Sequence, residues 1–223
     1  MKRQTTNVNQ LICFIILIAI CFMYVLMGEL FAQPLHKRSL SKVLDNVLII
    51  NCYFDDESVS KGTAVAIGDN TIVSVAHLFP EGKSIDSIEC TNKSGNKFLA
   101  TIEKIEYDMD ICILTSERKF VKIDIETQCD FGDQVFKIGN SLGYGLSYDK
   151  GVVSCPLKLI TMEYNTREML QISMQIYSGD SGAPVFTEDG KLLGIISFKT
   201  STSISSKAEL SFAIPLKSFL QFI

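Results

Sequence analysis

The sequence has no excess of positive charge, no internal repeat and no low-complexity tract. Its 21 Lys and Arg side chains are outnumbered by 25 Asp and Glu, giving a net charge of −4 and an isoelectric point near 5.3. Nucleic-acid-binding domains carry a basic patch or stripe, so nucleic acid is not an expected partner. The metal-binding spacings CxxC and HExxH are also missing. We therefore predict neither a metal site nor a cofactor.

Histidine is scarce as well, because the chain contains only His36 and His77. A chain that uses an imidazole as general base must use one of these two. His36 lies in a basic segment beside a hydrophobic stretch and fits a solvated flank. His77 follows residues 71–75, an alternating strand-like run, where a side chain can face a cleft. His77 is the candidate base, with a purely structural histidine as the alternative.

A glycine-rich loop surrounds Ser181 and reads Tyr-Ser-Gly-Asp-Ser-Gly-Ala-Pro-Val over residues 177–185. Glycine permits backbone angles that other residues avoid and lets other groups approach the main chain. Such a loop can direct the N–H groups of Gly179, Asp180 and Ser181 at one point beside the Ser181 hydroxyl. Acyl transfer needs this arrangement as its oxyanion hole. For the motif alone, an ordinary turn between strands is the alternative.

A carboxylate that orients the imidazole is expected at the start of a buried strand. Asp110 directly precedes the apolar run 111–114, whereas Asp108 lies two residues earlier in a polar loop. We choose Asp110, because a residue at the strand mouth is more easily fixed and partly buried. Asp108 fits a turn residue that caps the strand entry.

The chain order His77, Asp110, Ser181 is that of chymotrypsin-type enzymes rather than of subtilisins or α/β-hydrolases. The blocks that contain these residues resemble the three signature motifs of trypsin-like serine proteases. Further stretches resemble the bacterial HtrA/Deg branch, at residues 138–143, 150–154, 170–171 and 212–215. The resemblance covers residues 45–220, and no PDZ-like domain is expected. It implies that His77, Asp110 and Ser181 form a catalytic triad.

Short apolar runs separated by Gly, Asn and Asp turns predict β-strands from residue 47 onward. Six runs precede residue 120: 47–54, 62–67, 71–75, 85–90, 98–105 and 111–115. Six follow it: 134–138, 151–161, 169–173, 184–186, 192–198 and 211–214. The spacing indicates a barrel or sandwich, and the resemblance implies an all-β fold of two six-stranded antiparallel β-barrels. The predicted protease domain covers residues 46–223, with barrels at 46–120 and 121–223 and the active site between them.

The N-terminal part of the chain is hydrophobic, because residues 11–27 carry no charge after the polar flank 1–10. About 20 apolar residues cross a bilayer, whereas the core of a signal peptide has about 7–15. We predict one transmembrane signal anchor at residues 11–32, followed by a polar tether at 33–45. A secreted protein released by signal cleavage is the alternative, although Leu30 makes cleavage after Ala32 poor.

The charges that flank the hydrophobic segment do not settle its orientation. Lys2 and Arg3 precede it, and Lys37, Arg38 and Lys42 follow it, so the positive-inside rule gives nearly a tie. The family resemblance implies a catalytic domain outside the cytoplasm, on the periplasmic side, with the N-terminus inside.

Five cysteines lie in the predicted protease domain: Cys52, Cys90, Cys112, Cys129 and Cys155. An odd number leaves at least one without an intramolecular partner. Cys52 and Cys90 belong to the same predicted barrel and are candidates for a bridge. Cys112 lies in an alternating apolar run and is predicted to be a core residue.

Substrate-contacting residues follow from the resemblance alone. Gln175 matches the floor of the side-chain pocket, and Ser197, Phe198 and Lys199 match the strand that pairs with the substrate backbone. Because residue 175 is not an acid, a preference for Lys or Arg is not expected, and small or medium apolar side chains are implied instead. The alternative is that Gln175 is an ordinary polar residue at a strand end.

Asp180 departs from the HtrA pattern, which commonly has Asn before the nucleophile. In secreted trypsin relatives, a newly formed N-terminal amine pairs with this Asp. The chain contains no Ile-Val-Gly-Gly-like start downstream of a basic site. Asp180 therefore needs another partner, or the loop must be ordered by something else.

The sequence thus predicts a membrane-anchored serine endopeptidase that cleaves protein or peptide substrates through a His-Asp-Ser triad and an acyl-enzyme. The alternative is a catalytically silent barrel of the same fold, acting as a membrane-tethered protein-binding module. The intact set of three residues argues against that alternative. Oligomer formation is compatible with both.

Overall fold

The structure, a computed structural model, describes residue 12 and residues 14–23, 40–162, 165–201 and 209–223. The chain divides into two units, residues 1–38 and 39–223. In the first unit, residues 14–23 are helical and fall inside the predicted anchor at 11–32, half of which lies outside the described residues. Among the described residues, no helix has both the length and the hydropathy needed to cross a membrane.

The second unit begins before the predicted domain boundary. Residues 40–46 form consecutive helical turns, and Val43 is completely buried. The side-chain amide of Asn46 donates hydrogen bonds to the carbonyls of Ala66 at 2.8 Å and Val121 at 2.7 Å. The last residues of the predicted tether are therefore part of the folded unit, because Val43 lies in the hydrophobic core and Leu40 and Leu44 pack against it.

The described residues of the second unit form two closed barrels of antiparallel strands. The first barrel, in the order β1-β2-β5-β4-β3, consists of β1 (Val47–Phe54), β2 (Val59–Ser74), β3 (Ile85–Thr91), β4 (Lys97–Glu106) and β5 (Ile111–Phe120). The second barrel, in the order β10-β11-β8-β7-β6-β9, consists of β6 (Gln134–Gly139), β7 (Ser147–Met162), β8 (Asn165–Ile172), β9 (Pro184–Thr187), β10 (Leu192–Ser201) and β11 (Glu209–Pro215). The all-β class and the double-barrel architecture are confirmed.

The first barrel has five strands, and the prediction of six was wrong. The predicted strands 62–67 and 71–75 are two parts of the single long strand β2. Its first part pairs with β1 and its last part pairs with β5, with a register shift between Asp69 and Thr71. Gly68 and Asp69 have φ angles of 147° and 47°. These turn-forming residues make a bulge that bends one strand instead of ending it.

Alternate residues of the strands fill the barrel interiors. In β1, Leu48, Ile50, Cys52 and Phe54 are buried, one residue in two, as expected for a strand with one face on a core. Cys112 of β5 is completely buried, which confirms it as a core residue.

The candidate bridge between Cys52 and Cys90 was wrong, because both are free, buried thiols. The pairing of β1 with β3 places Cys90 opposite Ile50 and Cys52 opposite Ile88, so the two sulfurs are offset along the strands. Burial raises the pKa of Cys52 to about 11 and, with a smaller contribution from a neighbouring carboxylate, that of Cys90 to about 12. Both side chains therefore serve as small, unreactive core residues.

Candidate active site

His77 lies just beyond the end of β2, in a short 3-10 helix formed by Ala76–Leu78. Leu78 and Phe79 are buried, and the Phe79 carbonyl accepts a hydrogen bond from the Tyr107 hydroxyl at 2.9 Å. These contacts fix the backbone around His77, while its imidazole remains half-exposed. The side chain is therefore held at the mouth of the first barrel and is accessible to a substrate.

Asp110 occupies the turn between β4 and β5 with a φ of 58°, in the left-handed region that few non-glycine residues adopt. Its Oδ1 accepts the backbone N–H of His77 at 2.9 Å, and both carboxylate oxygens lie 3.0 Å from His77 Nδ1. The Ser197 hydroxyl donates to Oδ2 at 2.5 Å. Asp110, rather than Asp108, is thus the carboxylate that contacts the imidazole.

Opposing effects act on the pKa of Asp110. Burial raises this pKa, whereas the hydrogen bond and electrostatic attraction of His77 lower it, together with the hydrogen bonds from the Ser197 hydroxyl and the His77 amide. The lowering interactions prevail, and the pKa of Asp110 falls below its ordinary value. The carboxyl group therefore stays ionised and can hold Nδ1–H of His77, which leaves Nε2 as the basic nitrogen.

Replacing Ser197 with Ala should make the fold more sensitive to acid. A carboxyl group with a lowered folded-state pKa stabilises the protein above its unfolded pKa of about 3.9, and this contribution is lost as the pH falls through the folded-state pKa. Loss of the Ser197 donor raises the folded-state pKa of Asp110, so we expect acid unfolding to begin at a higher pH. A hydrogen bond to a charged group is worth more than one between neutral groups, so its loss should raise the pKa of Asp110 measurably.

The measurement is the free energy of unfolding in urea at several pH values, followed by circular dichroism, with Ser116→Ala as the matched control. The buried Ser116 hydroxyl donates to the carbonyl of Arg118 at 3.2 Å and not to a carboxylate. Its loss should lower the stability without moving the pH dependence. An unchanged acid-unfolding profile in Ser197→Ala would contradict the assigned hydrogen bond.

The loop that carries Ser181 connects β8 to β9 and is held by Thr63 of β2, in the other barrel. The Thr63 amide donates to the Ser181 carbonyl and its hydroxyl to the Gly179 carbonyl, each at 2.8 Å. Gly179 and Gly182 have φ angles of 93° and 85°. A Cβ on these glycines would lie 2.2 Å from the Asn140 carbonyl oxygen and 2.0 Å from that of Thr63. The loop conformation therefore requires both glycines of the motif.

His77, Asp110 and Ser181 line a single cavity of about 590 Å³ at the seam of the two barrels. Within the described residues, no hydrogen bond joins His77 to Ser181. Such bonds are often long in an unliganded active site and shorten when substrate binds. The fold therefore brings all three predicted residues to one cavity, with the base already held by its carboxylate.

The predicted oxyanion donors are only partly available. The Asp180 amide donates to the Tyr177 carbonyl at 3.0 Å, so it cannot also serve an oxyanion, and its assignment as a donor was wrong. The amides of Gly179 and Ser181 have no acceptor among the described residues. These two N–H groups flank the Ser181 side chain and form the available pair.

Only some of the predicted substrate-contacting residues lie at the cavity. Ser197, Phe198 and Lys199 line the cavity, whereas Gln175 is exposed and accepts a hydrogen bond from the Tyr177 hydroxyl. Met174 and Ile176 on either side of Gln175 are buried, so residue 175 faces away from the interior. The assignment of Gln175 to the pocket floor was wrong for this reason, and Ile176 lines the cavity instead.

Among the cavity residues that the sequence did not mark as part of the site are Tyr107, Arg167 and Tyr177. Tyr177 lies four residues before Ser181, and Tyr107 lies three residues before Asp110. Their closeness in sequence to two predicted site residues could have indicated that both tyrosines lie at the site. Arg167 belongs to β8, and only the pairing of β8 within the second barrel brings it to the site. No feature of the local sequence marks it.

Asp180 is completely buried and has an internal partner in Lys137 of β6, which is 1% exposed. Lys137 Nζ lies 2.7 Å from Asp180 Oδ2. The Ser141 hydroxyl donates to Oδ1 at 2.7 Å, and the Tyr177 amide donates to Oδ2 at 2.9 Å. Lys137 is therefore the partner that the sequence analysis required for Asp180.

Comparisons with known proteins agree with this architecture. Residues 62–195 match the family model of the trypsin-like peptidase domain. The chain is 29% identical over 164 residues to the human peroxisomal leader peptide-processing protease, covering 70% of the chain and 29% of that protein. It is 25% identical over 172 residues to the serine protease Do-like HtrA of Lactobacillus helveticus, covering 71% and 41%. The chain spans less than half the length of these relatives.

Among solved structures, the HtrA-type protease AlgW with a tripeptide superimposes with a TM-score of 0.73 at 22% identity, over 83% of this chain and 61% of that one. Similarity at this identity establishes the fold. The family model covers more than half of the sequence and includes His77, Asp110 and Ser181. The chain therefore belongs to the trypsin-like peptidase domain family, and the proteins to which it is similar include members of the HtrA branch.

Proposed function

We propose that the chain is a serine endopeptidase in which Ser181 is the nucleophile. His77 takes the proton of the Ser181 hydroxyl during attack on the scissile carbonyl, and later returns it to the leaving amine. Asp110 holds the imidazole in the required tautomer. The observation that carries the proposal is the contact of both Asp110 oxygens with His77 Nδ1 at 3.0 Å, beside a cavity shared with Ser181.

The tetrahedral intermediates of acyl transfer need donors for their oxyanion. The amides of Gly179 and Ser181 supply them in this proposal, because neither amide has an acceptor among the described residues. The fixed positive φ of Gly179 holds its peptide group in place before substrate arrives. Such preorganised donors lose little reorganisation energy during the reaction.

Covalent labelling with a fluorophosphonate tests the proposal directly. The reagent phosphonylates a serine hydroxyl only where a base and an oxyanion hole activate it, so we expect one labelled site, mapped to Ser181 by mass spectrometry. Heat-denatured protein is the matched control and should remain unlabelled. A folded protein that resists the reagent would instead favour the catalytically silent binding module.

The same proposal includes a membrane anchor at residues 11–32, with the catalytic unit outside the cytoplasm and protein or peptide substrates with small or medium apolar side chains before the scissile bond. Residues 11–27 support the anchor because they carry no charge. We expect the labelled protein to resist extraction from membranes by alkaline carbonate and to be digested by protease added from the extracytoplasmic side only. Labelled protein in the carbonate supernatant would contradict the anchor.

A further inference from the structure

The cavity beside the triad contains one cation without a counter-ion. Its lining includes one carboxylate, one imidazole and two basic side chains: Asp110, His77, Arg167 and Lys199. His77 pairs with Asp110, and Lys199 Nζ lies 3.0 Å from both carboxylate oxygens of Glu209. Arg167 forms no ion pair within the described part of the chain.

The guanidinium of Arg167 is fixed in place but incompletely hydrogen-bonded. Its Nη2 donates to the Tyr107 carbonyl at 3.1 Å, which ties it to the turn that precedes Asp110. Its Nε is buried and has no acceptor. A guanidinium presents five donors in a planar fork, and a buried donor without a partner costs free energy. The unused donors of Arg167 match the geometry of a carboxylate.

Glu168 follows Arg167 in β8 and lines a second cavity that also touches Arg167. Its carboxylate lies 2.7 Å from Lys217 Nζ and is therefore already paired. Within the described residues, Arg167 retains donors that can bond the carboxylate of a bound peptide.

The remaining walls favour a side chain with an apolar stem and a charged end. Tyr107, Tyr177 and Phe198 line the cavity beside Arg167. Aromatic walls lower the local dielectric constant and so strengthen attraction to a charge at the far end. Along β10, pairing with β9 ends at Ile195, and the next residues along the cavity form an edge to which an extended peptide can add.

We propose that this cavity binds an acidic side chain, Glu or Asp, of a protein or peptide substrate, with Arg167 as the specificity-determining residue. The proposal rests on the proposed peptidase function and adds a second recognition position to it, separate from the apolar side chain before the scissile bond. The alternative is that Arg167 has a purely structural role, in which its hydrogen bond to the Tyr107 carbonyl holds β8 against the turn before Asp110. That account predicts an equal effect of Arg167 on every substrate.

Matched peptides distinguish the two accounts. After a cleavage site has been mapped in casein, each flanking position is occupied in turn by Glu or by its neutral isostere Gln, and kcat/KM is measured on the full chain. We expect the Glu peptide to be favoured about tenfold or more at one position, since hydrogen bonds to charged groups carry this order of discrimination. The ratio should fall as salt is added.

Variants then assign the preference to a residue. Arg167→Gln should bring the Glu-to-Gln ratio close to one while the Gln peptide is still cleaved, and Arg167→Lys should restore part of it. Arg118→Gln is the matched control and should keep the ratio, because Arg118 lines a different cavity and packs against Phe98 and Phe120.

Equal cleavage of Glu and Gln peptides at every position by the unaltered protein would overturn the acidic subsite and leave the peptidase function standing. A ratio that survives in Arg167→Gln would overturn the assignment to Arg167. Absence of cleavage of all peptides, together with absence of fluorophosphonate labelling, would overturn the proposed function and the subsite with it.

Discussion

A Ser181→Ala variant is expected to lose peptide hydrolysis by a factor on the order of 10⁴ in kcat or more. The change removes the one oxygen that can form an acyl-enzyme, while the residual rate comes from substrate binding and from the Gly179 and Ser181 amides. The measurement is steady-state cleavage of a fluorogenic peptide over a range of substrate concentrations, which gives kcat and KM separately. KM should change little, because the hydroxyl contributes mainly to the transition state.

Two comparisons distinguish a loss of catalysis in Ser181→Ala from a loss of folding. Ser94→Ala is the matched control, since Ser94 is exposed in the turn between β3 and β4, far along the chain from all three triad residues. It should retain full activity. The thermal midpoint of Ser181→Ala should stay within a few degrees of the unaltered protein, because the substitution removes no bond that holds the loop. Undiminished cleavage in Ser181→Ala would exclude Ser181 as the nucleophile.

Replacing Lys137 with Met should lower both the stability and the activity. The change leaves Asp180 charged and buried without its cation, and breaking a buried ion pair in this way costs about 3–5 kcal/mol. Asp180 also bonds Ser141 and the Tyr177 amide, so its rearrangement moves the backbone that carries the oxyanion donors. We expect a fall in kcat of about 100-fold or more, the scale for loss of one oxyanion donor.

Urea unfolding measures the change in stability of Lys137→Met, and peptide kinetics measure the change in its kcat. Two further variants serve as controls. Lys150→Met removes a lysine from β7 that is 45% exposed and lies 3.6 Å from Glu188, and such surface pairs contribute about 1 kcal/mol or less. The double variant Lys137→Met with Asp180→Asn removes both charges and should recover much of the stability and activity. A Lys137→Met protein with unchanged kcat would show that the pair does not order the loop.

The shared cavity of His77, Asp110 and Ser181 was predictable from the sequence, because each of the three residues is marked by its neighbours. His77 and Asp110 stand at ends of apolar runs, and Ser181 stands between glycines whose positive φ angles the loop requires. The bulge at Gly68 and Asp69 was not predictable, because the same residues form a turn when no partner strand continues the pairing. β2 continues as one strand past these residues because its last part pairs with β5.

The assignments that the sequence did not give have different causes. Residues 135–139 of β6 are all buried, so position along the strand gives no hint that Lys137 places a cation inside. Arg167 reaches the cavity through the pairing of β8 within its barrel. Both positions depend on long-range pairing, which the local sequence does not record. Gln175 was placed in the pocket by resemblance, whereas the burial of its neighbours Met174 and Ile176 turns it outward.

Thr63 has a consequence for exchanging parts between related proteins. It belongs to one barrel, yet it bonds the carbonyls of Gly179 and Ser181 and accepts the Asn140 amide at 3.0 Å. All three partners are main-chain groups, so a chimera that joined the N-terminal half of this chain to the C-terminal half of a homologue would keep these bonds wherever the homologue's loop has the same backbone path. Substitution of residue 63 by an apolar residue would instead remove the two hydroxyl-mediated bonds from any such hybrid protein.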